Sequence, residues 1–316
     1  MYDRYGPPSG LHLEEVPVPD PGPGQVLVRV AATSLNLSDW ECLMGRPLYA
    51  RMGGLRSPAQ RVLRSDIAGT VEAVGDRVER FSVGDEVYGD NLRLKGGFAQ
   101  LAVGPASAFA LKPRELSFVQ ASTIPQAGAI ARHGIQGVGE GTRVLVNGAG
   151  GGSGTFAIQL ATRLGAHVTA VDNAGKLAYM WDLGAERVID HRTDDWTRHG
   201  PFDVVLDLVA QRSVLATRRA LGRGGRYGAV GGSVPTILRV MTVGTVVGAV
   251  TGRRIRVLAV PMGPQHFEPV ADLCARGELD IHVHRTFRLD EVPDALRWVG
   301  EGRALGKVVV TPDGDA

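Results

Sequence analysis

The chain has 316 residues, of which 44% are apolar and 22% are charged, and its formal net charge is +2. At about 150 residues per domain, this length predicts two domains with enough apolar material for a sizeable core. The near-balanced charge gives no strong attraction to a polyelectrolyte. Because the arginines are scattered among acids, no nucleic-acid partner is predicted.

The two cysteines, Cys42 and Cys274, cannot form a disulfide framework or a four-thiolate zinc site. The N-terminal residues lack the apolar core of a signal peptide. The longest apolar run, residues 240–250, is too short to span a bilayer. These features predict a reduced, cytoplasmic protein with no membrane partner.

The first part of the chain has the pattern of a β-rich unit. Residues 7–24 are rich in glycine and proline, residues 26–32 form a predicted strand, and residues 67–88 contain short apolar strands separated by Gly-Asp turns. This pattern of short strands and close turns continues to about residue 113.

Beyond Pro113 the pattern changes to strands that alternate with helices. Ser117 is a predicted N-cap, and strands are predicted at residues 143–147, 167–171, 187–190, 203–209, 225–231 and 255–260, with amphipathic helices at 155–164, 176–183 and 213–221. Continuous apolar strands between helices indicate a parallel sheet covered on both faces. The last segment is predicted to contain helices at 264–277 and 292–300, an extended piece at 284–287 and a strand at 307–311.

A glycine-rich turn between the strand at 143–147 and the helix after it matches a dinucleotide-binding pattern. Ala149, Gly151 and Gly154 occupy the three positions of a GxGxxG motif, with alanine at the first. Gly151 would let the backbone approach a pyrophosphate, and Gly154 would let the helix pack closely. The alternative is a glycine-rich turn without a ligand. The predicted cofactor contacts here are Gly148, Ala149, Gly150, Gly151, Gly152, Ser153 and Gly154.

Two residues bear on whether the protein binds NAD(H) or NADP(H), and they favour opposite cofactors. Asp172 ends the next strand, where a carboxylate accepts a hydrogen bond from a ribose 2′-hydroxyl, whereas Lys176 would attract a 2′-phosphate. A solvated lysine in the first turn of a helix is the alternative for Lys176. These two residues alone do not decide which cofactor the protein prefers.

Eight segments together resemble the zinc-independent medium-chain dehydrogenase/reductases of the quinone oxidoreductase (ζ-crystallin-like) group. They are EVPVPDPGPGQVLVRV at 15–30, SLNLSDW at 34–40, SDIAGTVEAVG at 65–75, GDEVYG at 84–89, GFAQ at 97–100, NGAGGGSGTFA at 147–157, LGAERVID at 183–190 and GKVVV at 306–310. The resemblance covers essentially the whole chain.

This resemblance implies an α/β protein in which a Rossmann doubly wound parallel-sheet domain lies between the two parts of a GroES-like β-rich domain. The expected domains are residues 1–115 and 263–316 for the substrate domain and 116–262 for the dinucleotide domain. The family places further cofactor contacts at Asn36, His191, Val209, Val230, Gly231 and Lys307. It also favours NADP(H) over NAD(H) by a narrow margin, with dual use expected.

The family comparison also bears on zinc. Zinc-dependent relatives carry a Cys where this chain has Asn36 and a His-Glu pair where it has Ser65 and Asp66, and they have a four-Cys lobe. Neutral asparagine and serine are poor zinc ligands, so no metal is expected.

Without zinc, the group transfers a hydride to an electron-poor acceptor such as a quinone or an α,β-unsaturated carbonyl. The resemblance implies catalytic positions at Asn36 and Asp39, beside the nicotinamide ribose, and at Tyr49, in the acceptor pocket. For Asp39, a role at the start of a helix is an equal alternative.

Two further interpretations of the function stay open. Where relatives often have a threonine that contacts the nicotinamide, this chain has Ile130, which suits a catalytically weak nucleotide-binding scaffold or sensor. A pathway-specific enoyl or enone reductase of natural-product biosynthesis is the other. Separately, the strand at 255–260 is predicted to be a sheet edge, and the family pairs such edges in a homodimer. Residues 240–250 would either add to that contact or line the cleft.

Overall fold

The computed structural model describes residues 1–51, 54–63, 65–90 and 96–312. Its backbone contacts divide the chain into two units, Met1–Ala129 with Pro261–Ala316, and Ile130–Val260. Residues 116–129, which the sequence placed in the second domain, group with the first unit. The reason is that the helix Phe118–Ser122 packs on the strands of the first unit.

The described part of the first unit is built on a seven-stranded sheet. Its strands are β1 (Gln25–Ser34), β2 (Asp66–Val74), β3 (Glu86–Gly89), β4 (Leu101–Pro105), β5 (Phe109–Leu111), β12 (Val283–Arg288) and β13 (Lys307–Thr311). The strand order is β12-β13-β1-β2-β3-β5, and β4 pairs with β1. The two ends of the chain therefore share one sheet, because β13 pairs with β1.

The helices of this unit are α1 (Leu37–Met44), α2 (Phe118–Ser122), the first half of α3 (Pro125–Gly134), α9 (Glu268–Ala275) and α10 (Val292–Gly300). The N-cap of α2 is Ser117, as predicted: its hydroxyl accepts a hydrogen bond from Gln120 N at 3.1 Å, and the Gln120 side chain accepts one from Ser117 N at 3.0 Å. This reciprocal capping box satisfies two backbone donors that the first turn leaves free.

The second unit contains six parallel strands within the described residues, in the order β11-β10-β9-β6-β7-β8. The strands are β6 (Arg143–Asn147), β7 (His167–Asp172), β8 (Arg187–Asp190), β9 (Phe202–Asp207), β10 (Leu221–Ala229) and β11 (Arg254–Val257). The helices are the second half of α3, α4 (Gly152–Arg163), α5 (Leu177–Asp182), α6 (Val214–Ala220), α7 (Val234–Arg239) and α8 (Thr245–Val250), with a π-helical segment Val240–Gly244 between the last two. This is the predicted doubly wound sheet, and β11 is its predicted edge.

Each unit has its own apolar core. In the second unit, Leu145, Val205 and Ile255 from three strands pack with Trp196, which is 1% exposed. In the first unit, Val28, Ile67 and Phe109 form one cluster, and residues of α1, α10 and β13 form another. Burial of a large apolar side chain contributes about 1.5–3 kcal/mol, so these clusters hold the sheets that carry the sites.

Among the described residues, no helix combines the length and the apolar character needed to cross a bilayer. Residues 240–250 instead belong to the short helical segments that follow β10.

Candidate active site

The glycine turn after β6 is held tightly to the neighbouring strand. Gly148 has φ +83°, a backbone conformation that favours glycine. Its N–H and that of Ala149 both donate to Val171 O of β7, at 2.9 and 3.0 Å. Gly151 N then donates to Gly148 O at 3.2 Å. These bonds close the turn at the carboxyl ends of β6 and β7, where nucleotides bind in folds of this type.

Two glycines of the turn require the absence of a side chain for different reasons. A Cβ at Gly154 would lie 2.5 Å from Ala149 Cα and from Gly148 O, so α4 passes against the turn only because this residue is glycine. A Cβ at Gly151 would meet only Gly148 O, at 3.5 Å, and would otherwise point into open space. Gly151 is also the N-cap of α4 and provides no side-chain cap, so the first N–H groups of the helix remain available to an anion.

Asp172 and Lys176, the two residues predicted to choose the cofactor, lie together beside this turn. Both are buried, and Lys176 Nζ lies 3.3 Å from Asp172 Oδ1. The other carboxylate oxygen, Oδ2, accepts from Gly150 N at 2.9 Å. A Cβ at Gly150 would lie 2.5 Å from Lys176 Cδ, so the lysine stem packs directly on the turn. The two opposing charges thus form an internal pair that supports the glycine loop.

The remaining predicted cofactor contacts of this unit follow the carboxyl ends of three further strands. His191 comes after β8 and is exposed, and its N–H donates to Asp172 O at 3.0 Å. Val209 follows β9, while Val230 and Gly231 follow β10; a Cβ at Gly231 would meet nothing within 4 Å. Because the strands are parallel, all of these residues lie at the same edge of the sheet as the glycine turn.

The sequence did not identify a buried polar cluster at this edge, centred on Asp207. Asp207 Oδ1 accepts from Asn147 Nδ2 at 2.7 Å and from the N–H groups of Val209 and Ala210 at 3.1 and 2.8 Å. Its Oδ2 accepts from the Tyr227 hydroxyl at 2.9 Å, and burial holds the pKa of that tyrosine above its usual range. The cluster fixes the loop after β9. Asn147 and Asp207 both end apolar strands, a signal that could have identified them.

A second group of polar residues lies in the first unit and joins distant parts of the chain. Asn36 Oδ1 accepts from Lys307 Nζ at 2.7 Å, and Asn36 Nδ2 donates to Asp66 Oδ2 at 3.1 Å. Lys307 Nζ also donates to Leu35 O at 2.9 Å, and Asp66 Oδ2 accepts from Gln126 N at 3.1 Å. Asn36 is thereby the link between a buried ammonium and a buried carboxyl group.

Asp39 lies beside this group, in the first turn of α1. Its Oδ2 accepts from Asn36 N at 2.8 Å and from the Ser65 hydroxyl at 2.8 Å. Asp39 therefore has the helix-start role that was the alternative to a catalytic one. Burial raises its pKa to about 7, against the hydrogen bonds from Asn36 and Ser65 and the charge of Lys307.

The two fully buried charged groups of the cluster have shifted pKa values as well. Burial, together with the nearby Asp90, raises the pKa of Asp66 to about 8 against the opposing charge of Lys307. Burial lowers the pKa of Lys307, against the charges of Asp66, Asp39 and Asp90. The carboxyl groups thus titrate near neutral pH, where such groups can exchange protons.

Tyr49, the predicted residue of the acceptor pocket, lies in the segment after α1 and is half-buried. Its hydroxyl lies 3.2 Å from Glu41 Oε2 of α1. Burial raises the pKa of Glu41, and burial together with the Glu41 charge holds the pKa of Tyr49 above its usual range. Tyr49 is therefore positioned by α1, the helix that begins with Asn36 as its N-cap.

Comparison with known proteins gives two family models that match separate parts of the chain. One is the alcohol dehydrogenase GroES-like domain, at residues 22–114, and the other is described as a zinc-binding dehydrogenase, at residues 183–310. A 2-methylene-furan-3-one reductase of Solanum lycopersicum is 32% identical over 98% of this chain and 78% of the relative. A chloroplastic quinone oxidoreductase of Triphysaria versicolor is 29% identical, over 99% of this chain and 97% of the relative.

A solved structure agrees with these matches. The quinone oxidoreductase from Coxiella burnetii superposes with a TM-score of 0.87 at 27% identity, over 98% of this chain and 97% of that one. The chain belongs to the medium-chain dehydrogenase/reductase superfamily, in its quinone oxidoreductase group. It is an oxidoreductase with a GroES-like and a Rossmann-like part, as the sequence resemblance implied.

The name of the second family model raises the question of whether this chain could hold zinc. The positions of the usual ligands are Asn36, Ser65 and Asp66, and Asn36 Oδ1 already accepts from the Lys307 ammonium. The Ser65 hydroxyl lies within hydrogen-bond distance of both Asp39 Oδ2 and Ser34 O. Within the described ranges, no group of three His, Cys, Asp or Glu side chains is arranged to hold a metal. A neutral amide, a hydroxyl and a neighbouring ammonium do not suit zinc.

Proposed function

We propose that the protein is a zinc-free NAD(P)H-dependent reductase of quinones or α,β-unsaturated carbonyl compounds. The observation that carries this proposal is that two positions of the zinc ligands hold Asn36, a neutral amide bonded to the Lys307 ammonium, and Ser65, a hydroxyl bonded to Asp39, instead of a thiolate and an imidazole. The quinone oxidoreductase and enone reductase relatives support the same reaction class.

The residues around the glycine turn are suited to hold the dinucleotide. The open position at Gly151 and the uncapped N-terminus of α4 would receive the pyrophosphate, and the loops after β8, β9 and β10 would contact the rest of the cofactor. A bound reduced nicotinamide supplies the hydride for the reaction. Asn36 and Tyr49 are proposed to orient the acceptor and to donate hydrogen bonds to it, while Asp39 fixes the start of α1 and Lys307 holds the Asn36 amide.

For the cofactor itself we propose NADP(H), with NAD(H) also used. Lys176 favours a 2′-phosphate and His191 can add charge, but Asp172 lies 3.3 Å from the lysine and offsets its attraction. Since each 1.4 kcal/mol is a factor of ten, this near cancellation limits the preference to less than about a hundredfold.

We also propose a homodimer that forms through β11, the edge strand of the parallel sheet. Next to this edge, α7, the π-helical segment and α8 together expose Leu238, Met241, Val246 and Val250. A second copy would cover this apolar surface. Sedimentation that shows only monomer at micromolar concentration would contradict this part of the proposal.

The activity is tested by following NADPH oxidation with a panel of quinones and 2-alkenones. Turnover of at least one of these acceptor classes is expected. Binding of NADPH without turnover of any acceptor would contradict the proposal and support the scaffold interpretation that Ile130 raised. Strong activity restricted to one enoyl substrate would instead favour the pathway-specific reductase.

A further inference from the structure

The side chain of Asn36 is held at both ends by groups that are far less accessible than itself. Lys307 is 4% exposed and Asp66 is 1% exposed, whereas Asn36 is partly exposed. An asparagine amide carries two N–H hydrogens, and the bond to Asp66 Oδ2 uses one of them. The second N–H is therefore the part of this network that a ligand can reach.

The orientation of the amide follows from the chemistry of its partners. A lysine ammonium has three donors and no acceptor, so the amide group that faces Lys307 Nζ at 2.7 Å must be the oxygen. The nitrogen then faces Asp66, which accepts whether or not its carboxyl group is protonated. Lys307 is itself fixed by its bond to Leu35 O at 2.9 Å. Flipping the amide would place two donors against each other, so only one orientation is stable.

The same bonds change the strength of the remaining donor. A hydrogen bond from an ammonium to the amide oxygen draws electron density away from the nitrogen, and hydrogen bonds in such a chain strengthen one another. The effect is larger here because the ammonium is buried and is poorly screened by water. The free N–H of Asn36 is thus a better donor than that of a solvated asparagine.

We propose that Lys307 and Asp66 are positioning residues that fix and polarise the Asn36 amide, so that its free N–H donates to the substrate oxygen that gains negative charge during reduction. This inference rests on the proposed function and adds the source of the electrostatic stabilisation that the reaction needs. In this arrangement, a buried ammonium acting through an amide fulfils the role that zinc has in metal-dependent relatives.

A double-mutant cycle tests the proposal, with kcat and KM measured for NADPH and a 2-alkenone. Asn36→Ala is expected to lower kcat by about 100-fold, the typical effect of losing one oxyanion donor. Lys307→Met is expected to lower kcat by about tenfold, and the double variant should resemble Asn36→Ala alone, because the lysine acts only through the amide. KM for the 2-alkenone, measured at saturating NADPH, should change by less than about threefold in each variant, since the lost interaction with its oxygen forms only in the transition state.

Ser38→Ala is the matched control, because this side chain lies on the same helix as Asn36 and makes only a long bond, 3.4 Å, to Gln126 Oε1. Its kcat should stay within about twofold of the wild type. Losses in kcat that add in the double variant would overturn the inference while leaving the proposed function standing. Absence of turnover in the wild-type protein would contradict the proposed function, and the inference with it.

A folding defect in Lys307→Met is recognised by circular dichroism and by its melting temperature. In that case Asn36→Ala decides the question, because its side chain is partly exposed and the lysine and Asp66 stay in place. A kcat within about threefold of the wild type in that variant would overturn the inference, and the expected 100-fold loss with unchanged KM would support it.

Discussion

The two candidate sites differ in how far apart along the chain their residues lie. The glycine turn, Asp172 and Lys176 lie within 30 residues and on two neighbouring parallel strands, so a local motif describes them. The cluster of Asn36, Asp66 and Lys307 joins residues 271 positions apart through β1, β2 and β13. The first site depends on a backbone conformation and a close approach that only glycine permits. The second depends on buried polar and charged side chains that must each meet a hydrogen-bond partner. Substitutions should therefore act differently at the two sites.

The largest effect is expected at the glycine turn. Gly151→Val should lower the affinity for NADPH by at least about 100-fold without unfolding the protein, because the added side chain enters the open space where the pyrophosphate would bind. Isothermal titration calorimetry measures this change. Gly139→Val, where a Cβ would meet nothing within 4 Å, is the matched control and should leave the affinity unchanged. An unaltered affinity in Gly151→Val would show that the dinucleotide binds elsewhere.

Gly154→Ala separates packing from binding within the same turn. Its Cβ would lie 2.5 Å from backbone atoms of Gly148 and Ala149, so α4 must move away. The expected cost is about 1–3 kcal/mol of unfolding free energy, measured by urea denaturation. A stability equal to that of the wild type would mean that α4 does not pass so close to the turn.

The Asp172–Lys176 pair gives an intermediate effect. Lys176→Ala should weaken NADPH binding by about tenfold and NADH binding by less than about threefold, because the phosphate loses a charge-assisted contact. Dissociation constants for both cofactors decide this, with NADH as the internal control. Equal weakening of both would show that the lysine only supports the glycine turn, on which its stem packs, and NAD(H) would then be the better choice.

The buried cluster is expected to act on the pH dependence of stability. The pKa of Asp39 is raised from 3.8 to about 7 in the folded protein, so the folded state binds this proton more tightly. Through Asp39 alone, the free energy of unfolding should therefore fall as the pH rises from about 4 to about 7, by at most about 1.4 kcal/mol per pH unit. Asp66, whose pKa is raised to about 8, adds a slope of the same sign. The lowered pKa of Lys307 contributes the opposite slope, at pH values between its folded pKa and 10.5.

Asp39→Asn should remove this part of the slope, measured by urea unfolding at several pH values between 5 and 8. Asp20→Asn, at an exposed position, should keep the slope of the wild type. If Asp39→Asn also keeps it, the carboxyl group is not buried in the way the structure shows.

The same difference between the sites explains what the sequence could predict. The strands and helices of the second unit and its edge strand could be predicted because apolar periodicity acts locally, and so could the cap Ser117 of the first unit. The glycine turn could be predicted because its residues are consecutive. The bonds of Asn36 with Asp66 and Lys307, and of Asp207 with Asn147 and Tyr227, could not, because they depend on strand register between distant segments. The sequence also did not predict the direct pairing of Lys176 with Asp172, four positions apart, because both side chains were expected to face the cofactor.

The central claim, a hydride transfer supported by an amide and a buried lysine rather than by zinc, is tested most directly by measuring activity and metal content on the same sample. The rate of NADPH oxidation with a 2-alkenone would be followed before and after exhaustive chelation, with zinc determined by elemental analysis. The account predicts an unchanged rate and substoichiometric zinc throughout. A rate that falls with removal of one zinc per chain, and returns when zinc is restored, would contradict it.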